Sequence, residues 1–314
     1  MKIIPKVVLL FLLVAALPSG DALAHDGEPH PGSDVWSAWN LSPTLLLSFA
    51  AAAAVYLKGV KDLWDRSGTG IAITRRQVGA FLGGLFALAL ALLSPLDALA
   101  GVSLSWHMVQ HLLLILVAAP LLILSNPLFG FLWAAPKGPL KALGRWWNRR
   151  SGLKQALRLL FHPLSVWVLY AVALWVWHAP AFYQAALRNE TVHVLEHLSF
   201  LLAALIFWWT VLPGRRPGHF AGYATSVFLL FTTALQGGLL GALLAFSGEV
   251  WYPVYQETGF LASITPLEDQ NLAGLVMWVP SSLVYLAFAL ALLARLLNLD
   301  EAGEAGRIPD GSTL

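Results

Sequence analysis

Long apolar blocks alternate along this chain with short stretches where charge, proline and glycine collect. A bilayer core of about 30 Å takes about 20 apolar residues in a helix to cross. The blocks near 41–59, 75–96, 104–126, 163–180, 190–212, 221–246 and 270–298 therefore each predict one transmembrane helix. The pattern predicts an all-α polytopic membrane protein, a bundle of seven transmembrane helices.

A further apolar run stands ahead of these. Lys2 and Lys6 precede Val7 to Leu17, which is followed by the breaker Pro18–Ser19–Gly20 and the small-residue motif Ala22–Leu23–Ala24. That order is the pattern of a secretory signal peptide. Residues 1–24 are expected to be removed, leaving an extracytoplasmic tail over 25–40, a membrane domain over 41–298 and a cytoplasmic tail over 299–314. An uncleaved leader would add an eighth helix.

Composition agrees with a lipid environment: 58% of the residues are hydrophobic and 11% are charged, against about 25% charged in a soluble domain. The absence of cysteine excludes disulfides, thiolate zinc sites and iron–sulfur clusters, leaving histidine, methionine and carboxylates as strong metal ligands.

The net charge of +2 hides a strong asymmetry. With the first span starting outside, the inner segments hold Lys58, Lys61, Arg66, Arg75, Arg76, the basic residues from Lys137 to Arg158, Arg215, Arg216, Arg295 and Arg307, whereas the outer loops hold Arg188. Positive charge on one side sets membrane orientation and gives no reason to expect a nucleic acid. The expected location is the bacterial inner membrane, with the mature N-terminus outside and the C-terminus in the cytoplasm.

Two stretches carry a pattern of their own. Between Pro136 and His162, Trp146, Trp147, Leu153, Leu157 and Leu160 alternate with basic residues, which reads either as a helix lying among lipid headgroups or as a basic linker. Gly237, Gly238 and Gly241 in the sixth span form a small-residue face, suited to close helix packing or to an oligomer contact.

Histidine within a span is costly and needs a functional or structural partner. His107 and His111 lie four residues apart near the outer start of the third span, one above the other on one helix face. His193 and His197 repeat that spacing in the fifth span, and the fourth ends in Trp177–His178–Ala179–Pro180. The seventh span enters behind Glu268, Asp269 and Gln270 with Met277 two turns deeper, and Met108 neighbours His107. Histidines at one depth on separate helices predict a metal or cofactor site, with Asp269 as counter-charge, ligand, partner of a ligand or helix cap.

Three chemistries compete for that site. Copper suits histidine ligands with methionine nearby and no cysteine, and the tail His25–Asp26–Gly27–Glu28–Pro29–His30 offers a capture point. Haem is held by histidines on facing transmembrane helices, although these are stacked in pairs at helix ends. Zinc hydrolysis is suggested by His193–Val194–Leu195–Glu196–His197, which matches H-x-x-E-H, with the glutamate as base.

The segments Trp106 to His111, Trp177 to Pro180 with Tyr183 and Ala186, His193 to His197, and Asp269–Gln270 followed by Ala273–Gly274 and Met277–Trp278 resemble the signature blocks of CtaG. That family comprises assembly factors of caa3-type cytochrome c oxidase. The resemblance covers about residues 40–298 and implies a role in maturing a haem-copper oxidase, with oxidase subunits as partners, copper as cargo and a copper donor protein upstream. On that view His107, His111, His193 and His197 form a holding site, with His178 and Met108 as exchange ligands and Asp269 and Met277 beside them. No nucleophile constellation or phosphate-binding loop is recognisable, so a carrier is expected in place of an enzyme. A haem-bearing electron-transfer subunit and a structural scaffold for the oxidase are the alternatives.

Overall fold

The computed structural model describes residues 35–136, 138, 145–147, 151–212, 220–256 and 264–305. The proposed leader and the tail histidines His25 and His30 lie outside them, as do His219 and most of the basic segment before Ser151.

The described residues form helices and short helical turns, with no strand among them. In chain order the helices are α1 (Pro43–Ser67), α2 (Arg75–Leu92), α3 (Pro95–Val102), α4 (Leu104–Leu124), α5 (Pro127–Ala134), α6 (Ser151–Leu160), α7 (Pro163–His178), α8 (Pro180–Arg188), α9 (Glu190–Val211), α10 (Phe220–Ala245) and α11 (Pro266–Ala305). Many begin at a proline, whose missing N–H is no loss in a first turn and whose φ suits the start of a helix.

Helices α1, α2, α4, α9, α10 and α11 are long and apolar enough to cross a membrane, so the chain is a polytopic membrane protein. The block predicted over 163–180 behaves differently. Its helix α7 has only 16 residues, about 24 Å at 1.5 Å per residue. It stops at His178 because the residue before Pro180 is pushed out of the helical region, and Ala179 is extended with φ −66° and ψ 130°. Helix α6, which buries none of its residues, meets α7 at 66°, and the two make a seventh span only if taken together.

Apolar side chains cover both the interior and the rim. Phe228, Phe231, Leu235 and Leu239 run along one exposed face of α10, as befits helices whose outer solvent is lipid. The interior is marked instead by small and polar residues. Gly241 of α10 meets Gly274 and Trp278 of α11 so closely that a Cβ on Gly274 would strike the Gly241 carbonyl and the Ala245 backbone. The glycine face thus serves helix packing at Gly238 and Gly241, and α10 and α11 form the most extensive pair in the bundle.

Helix α4 carries a π turn over Leu113–Ala118, starting two residues after His111. There the Ala119 N–H reaches back five residues to the Leu114 carbonyl. The next such bond would run from residue 120 to Ile115, but Pro120 has no N–H to give. The buried Trp208 of α9 takes its place, its Nε1 donating to the Ile115 carbonyl at 2.8 Å. One indole thereby satisfies a carbonyl that its own helix leaves open and ties α9 to α4 below the histidines.

Candidate metal centre

Helices α4 and α9 each place two histidines on a facing surface. On α9 the spacing His193, Glu196, His197 brings all three side chains to one side, and they meet His107 and His111 of α4. The His107 ring centroid lies 4.4 Å from that of His111, 5.3 Å from that of His193 and 5.7 Å from that of His197. His111 and His197 are 5.2 Å apart by the same measure. All are buried.

Two sets of ligand atoms fall within 4.8 Å of one another: those of His107, His111 and His197, and those of His107, His193 and Glu196. The Nε2 atoms of His107 and His111 are 3.0 Å apart. Glu196 is 0% exposed, and its carboxylate oxygens lie 3.9 Å from His107 Nε2 and 3.8 Å from His111 Nε2. Among the described residues neither oxygen accepts a hydrogen bond. A carboxylate buried without donors is costly, and a cation shared with the neighbouring imidazoles would relieve that cost.

A ring of tyrosines closes the helix-end side. Tyr255, in the short turn Pro253–Gln256, has its hydroxyl 2.9 Å from that of Tyr183 and 3.3 Å from His107 Nδ1. Tyr252 donates to the His178 carbonyl at 2.7 Å. Gln270 holds the approach to this turn, accepting from the Trp251 N–H at 2.7 Å and donating to the Glu249 carbonyl at 2.9 Å.

The other predicted residues fall around this cluster. His178 ends α7 with its ring 6.4 Å from that of His111. Its Nδ1 sits 2.7 Å from the Leu174 carbonyl, which can only accept, so Nδ1 carries the proton and Nε2 keeps its lone pair. Met108 and Met277 are also buried, lining a cavity beside His111 and His178.

Asp269 is held elsewhere. Its carboxylate accepts from the Leu104 N–H at 2.7 Å, the Ser105 N–H at 3.3 Å, Ser103 Oγ at 3.0 Å and Ser105 Oγ at 2.5 Å. It therefore caps α4, a helix other than its own, and belongs to neither ligand set. The start of α11 is capped separately by Thr265 and Glu268 bonding to each other's backbone N–H.

Sequence reasoning did not name Glu196 among the ligand candidates, although H-x-x-E-H displayed it as a possible base. Tyr252 and Tyr255 lie in a loop whose sequence has no signal for the site. Gln110, beside His111, is likewise buried, donating to Asp97 at 2.7 Å and to the Ala91 carbonyl at 2.8 Å.

Fold and site together define a helical membrane protein with histidine and glutamate atoms inside one end of its bundle, spaced as ligands of a metal ion. Residues 54–298 match the family described as cytochrome c oxidase caa3 assembly factor (Caa3_CtaG), and the chain belongs to that family. No curated protein and no solved structure matches the chain. The family match spans most of the region over which the motifs resemble CtaG, and it makes the protein an assembly factor for this oxidase.

Proposed function

We propose that the protein carries copper to the oxidase during assembly, holding the ion between α4 and α9 at His107, His111, His193 and His197. Glu196 joins this set. The observation that carries the reading is the Glu196 carboxylate, buried with no hydrogen-bond donor among the described residues and facing two imidazole nitrogens. Imidazole and carboxylate bind copper well, and the chain offers no thiolate to compete.

The ion is cargo, so release matters as much as capture. More ligands surround the site than one ion needs, and His178 and Met108 stand ready to exchange with the first set. If the basic segments face the cytoplasm, the cluster lies at the opposite, outer end of the helices. Such a depth suits delivery to the copper centre buried in the membrane subunit of the oxidase, with oxidase subunits as partners. The protein then acts as a carrier, not as an enzyme, in the cell membrane.

Two features weigh against the alternatives. For hydrolysis, the glutamate of H-x-x-E-H would activate a water, whereas Glu196 stands among the ligands under a cover of tyrosines. For haem, the rings touch edge to face within and between helices, which leaves little room for a planar macrocycle.

Elemental analysis of the detergent-purified protein tests the proposal. Copper is expected in the native chain and lost from His107→Ala/His193→Ala. Iron in its place would point to haem, zinc to hydrolysis, and equal metal content in both forms would overturn the site.

A further inference from the structure

Beyond the cluster, on the deeper side of His111, a cavity of about 40 Å³ opens between α4, α7, α9, α10 and α11. His111 belongs to both places, being one of the clustered ligands and a wall of the cavity. The chain contains three methionines, and the two beyond Met1 both line this cavity, Met108 from α4 and Met277 from α11. Methionine in a protein interior ordinarily fills an irregular gap. Here the gap persists beside both side chains.

Two further observations point to a ligand. His178 lines the same cavity, with Nδ1 tied to the Leu174 carbonyl and a buried Nε2 that has no hydrogen-bond partner among the described residues. Gly237 lines it as well, and a Cβ there would meet nothing within 4 Å. Close helix packing, which accounts for Gly238 and Gly241, thus does not account for Gly237.

We propose that this cavity is a second metal site, selective for copper(I), formed by Met108, Met277 and His178 with His111 shared between it and the histidine cluster. Thioether sulfur is a soft ligand that favours copper(I), whereas imidazole and carboxylate accept a wider range of divalent ions. The inference extends the copper-carrier reading and gives the carrier two stations. Copper(I) passes between them while His111 stays bound: bonds to the other cluster nitrogens and to the Glu196 oxygen break, bonds to the two sulfurs and His178 Nε2 form, and neither electron nor proton is exchanged. The methionine side chains then also set the oxidation state in which the ion travels.

The test is anaerobic titration of the full detergent-solubilised chain with copper(I) against a competing chelator, followed by X-ray absorption at the copper edge. Silver(I), which cannot change oxidation state under these conditions, serves as a second probe. The native protein is expected to bind two copper(I) ions, His111 serving one of them at a time, with sulfur in the coordination shell. Met108→Leu/Met277→Leu, which conserves volume, should bind one and lose the sulfur signal, while His107→Ala/His193→Ala should bind one and keep it. Absence of sulfur scattering in the native protein, or an unchanged stoichiometry in the leucine variant, would overturn the second site. Sulfur-ligated copper with no loss in the histidine variant would instead overturn the cluster and leave the cavity standing. The native spectrum reads out the sulfur ligands without depending on the folding of any variant.

Discussion

The carboxylate of Asp269 accepts the backbone N–H of Leu104 at 2.7 Å, so the first turn of α11 caps the first turn of α4. A negative charge at that end also complements the helix dipole. His107 sits one turn further along α4, and its position is therefore tied to α11 as well as to its own helix.

Replacing Asp269 by Asn keeps the shape but leaves only one acceptor oxygen for the four donors that now share the carboxylate. The change should destabilise the protein by about 1–3 kcal/mol, the usual penalty for unpaired buried donors. It should also weaken metal retention without abolishing it. Thermal unfolding in detergent and copper content of the same preparation check both; unchanged stability would remove the capping role.

Glu196→Gln separates a ligand from a structural residue. Without metal the variant should be at least as stable as the native chain, because glutamine keeps the shape and its amide can donate to a neighbouring imidazole nitrogen. With copper it should bind more weakly by at least the roughly 10–100-fold that losing a supporting group costs at a metal site, since a ligand itself is gone. A metal-free variant less stable than the native protein would show that Glu196 is satisfied by the fold itself.

Trp208→Phe retains the apolar bulk and deletes the indole N–H that serves Ile115. The carbonyl left open by Pro120 then has no donor, and a loss of about 1–3 kcal/mol is expected. Since the π turn begins two residues after His111, copper affinity should fall with it. A neutral outcome by thermal unfolding would mean that another donor reaches Ile115.

The two glycine positions on α10 and α11 should respond oppositely. Gly274→Ala forces a methyl group into the α10 backbone and should cost about 1–3 kcal/mol as an overpacked contact. Gly237→Ala has free space around the new carbon and should leave stability unchanged or raise it slightly. Parallel melting curves decide, and equal loss at both sites would contradict the packing described for this helix pair.

Deleting the protein in a cell that makes the oxidase should empty the membrane-buried copper centre and spare a copper centre in a water-exposed domain. Metal analysis and optical spectra of the purified oxidase distinguish them. Loss confined to the exposed centre would place delivery elsewhere.

The alternation of long apolar blocks with charged loops determined the class of fold, since only helices of that length satisfy their own backbone in lipid. The paired i, i+4 histidines were equally legible, because that spacing puts two side chains on one face whatever surrounds the helix. Many helices start at a proline and α7 stops before Pro180, a break that the hydropathy pattern over 163–180 ran straight through. Which faces meet was decided only by tertiary packing. Glu196 became a neighbour of His107 and His111 through the pairing of α9 with α4, and Asp269 became a cap for α4 through the seating of α11. Tyr252 and Tyr255 arrived from a loop with no periodicity to read. In helices apolar on nearly every side, sequence periodicity carries little information about rotation or partner, so close glycine contacts and buried hydrogen bonds determine the arrangement.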